Sequence, residues 1–284
     1  VEQIIYKQPT YINTMRQHFN VMEFMKIIDW RHNDWDIVYT HLPEHSLQIA
    51  NCFHNGTNIE PKIIGYSHWF DFNNASVKNM SIQNFAGLLE METCGVNSQW
   101  LKDEVIKQSK KYFNDKVVSK LENIIQPHQL GVDEIDFKEP TNPKIKTIAF
   151  NHRGQSYMGF NWFVSSMEKL WKIRKDFRVV TFQKDADCSK YEWADYQKPQ
   201  SLKKREDYFN KLQSCFIGVG CFDGSKGSGG ASWSIGVTDG LSLGVPYVLP
   251  NKYVWPKLMG DDYPLLFEHK NEDLFRNTWI GSFS

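Results

Sequence analysis

The sequence predicts an α/β protein made of two doubly wound domains, and three observations lead to this prediction. Short apolar runs typical of buried strands alternate with amphipathic helical patterns along the 284 residues, and this alternation implies parallel sheets. A polar segment with prolines and acids, 130–144, separates two halves of similar length. Hydrophobic residues make up 41% of the chain and charged residues 23%, so each half can bury a core. We therefore expect domains at 1–135 and 136–284.

In the first half, apolar residues recur every three or four positions between 15 and 28, which predicts an amphipathic helix. Two buried strands are predicted at 35–41 (WDIVYTH) and 62–68 (KIIGYSH). The short buried segment 95–98 (GVNS) precedes a helix whose N-terminus Ser98 can cap. Because strands and helices alternate, we expect ligands at the carboxyl ends of the strands.

The second half repeats this alternation. Its predicted elements are a strand at 147–153, a helix at 160–173, a strand at 177–182, a helix at 203–215, a strand at 216–220, and one more helix and strand within 229–250. The last of these segments, GGASWSIGVTDGLSLGVPYVLP, sets a glycine-rich loop before a short helix that carries one acid, Asp239. Such a loop presents backbone amides to an anion, and glycine lets the anion come close. The predicted anion-binding residues are Gly229, Gly230, Ala231 and Ser232.

Charge and cysteine content argue against several classes of protein. Lys+Arg and Asp+Glu both number 33, so net charge does not favour nucleic acid or an anionic membrane as partner. The five scattered cysteines lack the paired spacing of a zinc site or a disulfide framework, which favours a reducing compartment, and we expect a cytoplasmic protein. No apolar run predicts a membrane span, and no signal-peptide pattern begins the chain. The abrupt ends suggest that terminal segments are missing.

The order of the segments resembles the retaining GT-B glycosyltransferases, in which two facing Rossmann-like domains hold a nucleotide sugar in the cleft between them. GVNSQWLKDEVI resembles the strand and helix late in that family's first domain, and IIQPHQLGVDEIDF resembles its crossover, PNGVD…F. YFNKLQSCFIGVG resembles the helix and strand before its donor loop, and 229–250 resembles its signature, EGFG…LEAMACGVPVV. The resemblance covers nearly the whole chain. It implies that the anion is the diphosphate of a nucleotide sugar, a UDP-sugar by default, and that no cofactor is required.

The resemblance also implies roles for single residues. Arg153 in FNHRGQSYMGF matches the arginine that neutralises the departing diphosphate, a task that suits a guanidinium because it grips phosphate oxygens in a fork. Asp239 matches the acid that binds the ribose hydroxyls, and His68 matches a histidine that touches the donor sugar. Two positions depart from the pattern, since Ala231 replaces a glutamate and Met158 replaces a lysine.

Each of these roles has a structural alternative. Arg153 could form a surface ion pair, Asp239 could cap or salt-bridge its helix, and His68 could be a structural histidine. Further weak candidates are His41 and His45 after the first strand, His152 beside Arg153, and the metal-binding pattern formed by Asp185 and Asp187. An aspartate pair of this kind holds a divalent cation on a diphosphate in other glycosyltransferases. Here we favour a loop role without a metal.

A narrower resemblance concerns the acceptor. FNHRGQSYMGF and WSIGVTDGLSLGVPYVLPN are similar to bacteriophage glycosyltransferases that modify hydroxymethylated pyrimidines in DNA, which implies DNA as a partner and the host cytoplasm as the location. A base that leaves the stack needs an apolar pocket, for which Trp69 and Phe70 are candidates, and Trp233 could also stack on a ring. The zero net charge counts against a DNA-binding surface, and only 107–111 and 201–205 are locally basic.

Other functions remain open at the level of sequence. The acceptor could instead be a cell-surface glycan or a small molecule. A sugar-nucleotide epimerase could share the architecture, but it would need an acid and a base in the cleft, and no carboxylate pair is evident. A binding module without catalysis is the third possibility, because Ala231 and Met158 replace two of the family's functional residues.

Overall fold

The computed structural model describes residues 19–27, 35–56, 59–68, 70, 78–131, 145–196, 204–223, 231–260 and 262–268. The chain divides into two compact units, residues 1–129 and 130–284. The predicted boundary at 135/136 falls in 132–144, outside the described residues, and stays a prediction. No helix in the described ranges is long and apolar enough to cross a lipid bilayer.

Unit 1 is a four-stranded parallel sheet with helices. Its elements are α1 (Val21–Ile27), β1 (Ile37–Thr40), a 3-10 turn (Pro43–His45), α2 (Ser46–Gly56), β2 (Lys62–Ser67), α3 (Lys78–Leu89), β3 (Thr93–Val96), α4 (Gln99–Ser109), α5 (Asp115–Ile124) and β4 (Ile125–Pro127). The strands lie in the order β1-β2-β3-β4 and all pair in parallel. The carboxyl ends of all four strands therefore lie at the same edge of the sheet.

Local sequence explains where helices begin in unit 1. Ser98 caps α4, because its hydroxyl accepts a hydrogen bond from the Leu101 amide at 3.2 Å, as the sequence predicted. Asn114 caps α5 in the same way through the Val117 amide. The core of the unit consists of side chains that are fully or almost fully buried, among them Phe53, Phe70, Phe85, Leu88, Leu121 and Ile125.

Unit 2 is a six-stranded parallel sheet with its own core. Its elements are β5 (Lys146–Phe150), a 3-10 turn (Ser156–Met158), α6 (Phe160–Ile173), β6 (Phe177–Thr181), a 3-10 turn (Lys184–Ala186), β7 (Ala194–Tyr196), α7 (Arg205–Gln213), β8 (Ile217–Val219), α8 (Ile235–Ser242), β9 (Tyr247–Pro250), α9 (Trp255–Met259) and β10 (Leu266–Phe267). The strand order is β10-β9-β8-β5-β6-β7. Core side chains include Phe150, Phe163, Met167, Trp193 and Val219.

The predicted α/β class with parallel sheets is confirmed. The helix predicted at 160–173 has these bounds in the structure, because its apolar face is continuous. The strands β4, β7 and β10, of two or three residues each, were not predicted, since so few residues show no alternation. All five cysteines are buried free thiols and belong to the hydrophobic core residues.

Candidate functional site

The sheet of unit 2 reverses its strand order between β5 and β8. From β5 the chain moves to β6 and β7 on one side, and it then returns to β8, β9 and β10 on the other. Ile148 of β5 pairs with Ile217 of β8 at the reversal. In doubly wound sheets such a reversal opens a crevice at the carboxyl ends of the two strands, and ligands bind there. The residues that follow β5 and β8 are therefore the first candidates for a site.

His152, the second residue after β5, is a buried structural residue. Its Nε2 lies 3.0 Å from the carbonyl oxygen of Val219 in β8, and burial lowers the pKa of the imidazole to about 4. The ring packs edge-on against Phe150 and Phe222. Its other side faces Gly236, where a β-carbon would lie only 3.0 Å from Nδ1. The neutral imidazole thus joins β5, β8 and the start of α8, and the expectation that His152 lines a ligand site is wrong.

Arg153 is exposed, in contrast to the residue before it. Among the described residues no hydrogen bond or ion pair engages its guanidinium, so the alternative of a surface ion pair is not seen there. The turn that follows is tightly placed, because a β-carbon on Gly154 would lie 1.8 Å from the carbonyl oxygen of Asp185. Met158, the position for which the resemblance implies a lysine, packs against the core of the unit. The structure thus holds one exposed cation at the end of β5.

The loop before α8 differs in part from the prediction. Gly229 and Gly230 lie outside the described residues. Ala231 and Ser232 are 0% and 2% exposed, so the predicted contact between their amides and a diphosphate is not available in this structure. Ser234 caps α8, with its hydroxyl accepting from the Val237 amide at 3.4 Å.

Asp239 stands on α8 as one end of a chain of polar side chains. The Tyr208 hydroxyl of α7 donates to Oδ2 of Asp239 at 3.1 Å. Nδ2 of Asn151, the residue directly after β5, donates to that hydroxyl at 2.9 Å. Oδ1 of Asn151 accepts from the hydroxyl of Tyr247, a buried residue of β9, at 3.0 Å. We name these four residues, Asp239, Tyr208, Asn151 and Tyr247, the tyrosine relay.

Both tyrosines of the relay stay protonated over the physiological range. Burial, with a smaller contribution from the Asp239 carboxylate, raises the pKa of Tyr208. Burial also raises the pKa of Tyr247, well above its usual value. The phenols therefore act as neutral hydrogen-bond donors. Sequence reasoning missed Tyr208, Asn151 and Tyr247, because each stands within a pattern that predicts only a helix or a strand.

At the carboxyl edge of the sheet of unit 1, four rings form a row: Tyr39, His41, His68 and Tyr66. The His41 and His68 rings stack at 5.5 Å with an interplanar angle of 23°. Tyr39 meets His41 edge-on at 4.9 Å, and Tyr66 lies 4.9 Å from His68. Tyr39, His41 and His68 are exposed, Tyr39 to 54%, whereas Tyr66 is half-buried. Nδ2 of the buried Asn97 donates to the His68 carbonyl oxygen at 2.8 Å. We name these four residues the ring row.

Two other candidate residues of unit 1, Phe70 and His45, are buried in the structure. Phe70 is fully buried in the core, so it offers no face to a base, and the stacking role predicted for it is wrong. His45 is 5% exposed on the turn after β1, so it does not line an open surface as expected. Trp69 lies outside the described residues.

Of the two aspartates after β6, Asp187 is hydrogen-bonded within its own loop. Oδ1 of Asp187 accepts from the Ser189 amide at 2.7 Å, and this bond lowers the pKa of the carboxyl. Asp185 is exposed on the preceding 3-10 turn. Within the described residues, no group of three or more histidine, cysteine, aspartate or glutamate side chains could hold a metal ion.

Comparison with protein-family models and with curated protein sequences gave no match. Solved structures do match. A mutant of S. aureus TarM in complex with fondaparinux, alpha-GlcNAc-glycerol and UDP aligns over 93% of this chain and 51% of its own, with a TM-score of 0.65 and 11% identity. An alpha,alpha-trehalose-phosphate synthase (UDP-forming) from Burkholderia vietnamiensis aligns over 93% and 69%, with a TM-score of 0.62 and 10% identity.

The pneumococcal O-GlcNAc transferase GtfA, in complex with UDP and GlcNAc, aligns over 93% of this chain and 52% of its own, with a TM-score of 0.58 and 11% identity. The chain spans about half the length of TarM and GtfA. At sequence identities this low, the structural likeness shows a shared fold and no more. The chain has the GT-B fold that the order of its segments predicted.

Proposed function

We propose that the protein is a retaining glycosyltransferase that takes its sugar from a UDP-sugar. One observation carries the proposal: an exposed guanidinium, that of Arg153, lies three residues after the central strand β5 of a GT-B domain. Asn151, two residues earlier, leads through Tyr208 to the Asp239 carboxylate. The proposed acceptor for the ribose hydroxyls is thus hydrogen-bonded, through Tyr208, to a residue only two positions from the proposed cation. TarM and GtfA were both determined with UDP.

In the proposed reaction, the bond between the anomeric carbon and the diphosphate oxygen breaks, and its electron pair leaves with the diphosphate. Arg153 stabilises the charge that develops there. The acceptor oxygen bonds to the anomeric carbon from the same face, and its proton passes to the leaving phosphate oxygen. Asp239 binds the ribose hydroxyls equally in the ground state and in the transition state, and it therefore contributes to donor affinity. For His68 the resemblance implies a contact with the donor sugar, and this role stays a proposal.

For the acceptor we propose a hydroxymethylated pyrimidine in DNA. The support is the local sequence resemblance around Arg153 and Asp239, together with the ring row. Exposed aromatic and imidazole rings at the end of a parallel sheet suit an unstacked base, since stacking on such rings stabilises a base that has left the duplex.

The test is transfer of label from radiolabelled UDP-sugars, with GDP- and ADP-sugars alongside. The acceptors are DNA with 5-hydroxymethylcytosine, DNA with 5-hydroxymethyluracil, unmodified DNA as control, and a glycan acceptor. We expect label in a hydroxymethylated DNA only, with the anomeric configuration retained. Label only in the glycan would contradict the DNA acceptor. An epimerised donor would indicate an epimerase, and binding without turnover would indicate a binding module.

A further inference from the structure

We propose that Tyr208 is a positioning residue that orients the Asp239 carboxylate toward the ribose hydroxyls of the donor. This inference rests on the proposed function and deepens it, because it names a residue that determines how the nucleotide is recognised. It starts from the geometry of the tyrosine relay, which joins α7, α8, β5 and β9.

The direction of every hydrogen bond in the relay follows from Asn151. Its Nδ2 faces the Tyr208 hydroxyl at 2.9 Å and the carbonyl oxygen of Gly236 at 2.8 Å. A carbonyl oxygen can only accept, so the nitrogen of the amide must point there. The amide oxygen then faces the Tyr247 hydroxyl at 3.0 Å, which donates to it. The orientation of Asn151 is thus determined by its partners.

The proton of Tyr208 therefore points to Asp239. Because the Tyr208 oxygen accepts from Asn151, its own O–H is free to donate, and Oδ2 of Asp239 lies 3.1 Å away. A neutral phenol that donates to a carboxylate forms a charge-assisted hydrogen bond. This bond holds the carboxylate in one orientation.

A fixed carboxylate binds a diol better than a mobile one. Asp239 is only partly buried, on the second turn of α8, and the hydrogen bond from Tyr208 restricts the rotamers of its side chain. An ionised carboxylate has about four acceptor positions, and Tyr208 uses one. Holding the side chain in advance removes the entropy cost that a ligand would otherwise have to overcome. The effect of Tyr208 should therefore appear in donor affinity.

The experiment is titration calorimetry of the full chain with UDP and with 2′,3′-dideoxy-UDP. For the unaltered protein, loss of the two hydroxyls should weaken binding. We expect Tyr208→Phe to weaken UDP binding roughly tenfold, the size of one hydrogen bond to a charged group, and to leave the affinity for the dideoxy nucleotide nearly unchanged. In turnover assays the donor KM should rise while kcat at saturating donor stays close to that of the unaltered protein.

Asp239→Asn and the double variant separate a positioning effect from a direct contact. If Tyr208 acts through Asp239, the double variant binds UDP no more weakly than Asp239→Asn alone. Additive losses would overturn the inference, because they would mean that Tyr208 touches the nucleotide independently.

Tyr263→Phe is the matched control for stability. Its hydroxyl also belongs to a partly buried tyrosine of unit 2, but it bonds to the backbone of β9 and not to Asp239. It should lower the free energy of urea unfolding without changing the preference for UDP over the dideoxy nucleotide. An equal loss of that preference in Tyr263→Phe would overturn the inference. If the unaltered protein binds none of UDP, GDP and ADP, the proposed function itself fails.

Discussion

Arg153 is exposed, while the two residues before it are buried and hydrogen-bonded. Asn151 joins the tyrosine relay and His152 bonds to β8. The backbone just before Arg153 is therefore held in place where the strand order reverses. A long, flexible cationic side chain can bind a ligand in a defined geometry only when its backbone is held in place. The contacts of Asn151 and His152 therefore determine where the backbone of Arg153 lies.

We expect Arg153→Ala to reduce kcat far more than donor affinity, because the charge on the diphosphate is greatest in the transition state. Loss of one such stabilising group typically costs about 2.7–4 kcal/mol, or roughly 10²–10³ in kcat. Steady-state kinetics with a saturating donor measures the effect. Arg178→Ala is a control that should leave kcat unchanged, because Arg178 lies in β6 at the amino end of the sheet, opposite Thr147 of β5. Turnover close to that of the unaltered protein in Arg153→Ala would remove this residue from the leaving-group role.

His152 should make stability depend on pH. Its pKa is about 4 in the folded chain, against 6.5 for an ordinary imidazole, so between these values the unfolded chain binds a proton that the folded chain does not. The free energy of unfolding should therefore fall as the pH drops from 6.5 to 4, by on the order of 3 kcal/mol. Urea unfolding at several pH values measures this slope.

The control for the pH experiment is a pair of variants. His152→Gln should flatten the slope between pH 6.5 and 4, whereas His54→Gln should not, since His54 is exposed and its side chain is 72% accessible. A slope that persists unchanged in His152→Gln would show that other groups cause it.

At the scale of elements, Gly159 sets the start of α6. Its φ is 71°, in the left-handed region, and a β-carbon there would lie 1.8 Å from the carbonyl oxygen of Cys221 after β8. Only glycine permits both the conformation and the contact. The backbone at the start of α6 thus packs directly against the backbone that follows β8, where the strand order of unit 2 reverses.

We expect Gly159→Ala to lower the free energy of unfolding by at least about 2 kcal/mol, because strain in φ adds to the overlap with Cys221. Chemical denaturation measures the change. Gly131→Ala is a matched control, since no atom of the described residues beyond its chain neighbours lies within 4 Å of a β-carbon at that position. It should change stability by less than about 0.5 kcal/mol. Equal effects of the two variants would contradict the close approach described for Gly159.

At the scale of the whole molecule, the two units have separate cores, and the proposed chemistry depends on cationic and hydrogen-bonding groups of the chain. Asp187 is already engaged by the Ser189 amide. In the proposed mechanism the Arg153 guanidinium supplies the positive charge at the diphosphate, and from this role we predict a transfer that needs no metal ion.

If Arg153 rather than a divalent cation neutralises the diphosphate, as proposed, addition of EDTA should leave the rate of sugar transfer unchanged. The rate is measured with and without EDTA, and again after Mn²⁺ is added back. Activity that is lost with EDTA and restored by Mn²⁺ would return Asp185 and Asp187 to the role of metal ligands.

The sequence by itself determined the local features of this protein. Helix α6, the Ser98 cap and the place of Arg153 near the carboxyl end of a strand each depend on residues within a few positions of one another. Periodicity or a short motif predicts such features. The strand itself ends at Phe150, three residues earlier than predicted. The order of these segments, taken together, also predicted the GT-B fold.

Only the tertiary structure decided which side chains meet and which are exposed. Asn151 contacts Tyr208 and Tyr247 across 57 and 96 residues of sequence, and no local pattern encodes a contact between strands and helices so far apart. Exposure is equally non-local: His68 is exposed and Phe70, two residues on, is fully buried. Burial depends on what the rest of the chain packs against a residue, so the ring row and the tyrosine relay emerge only when the sheets are assembled.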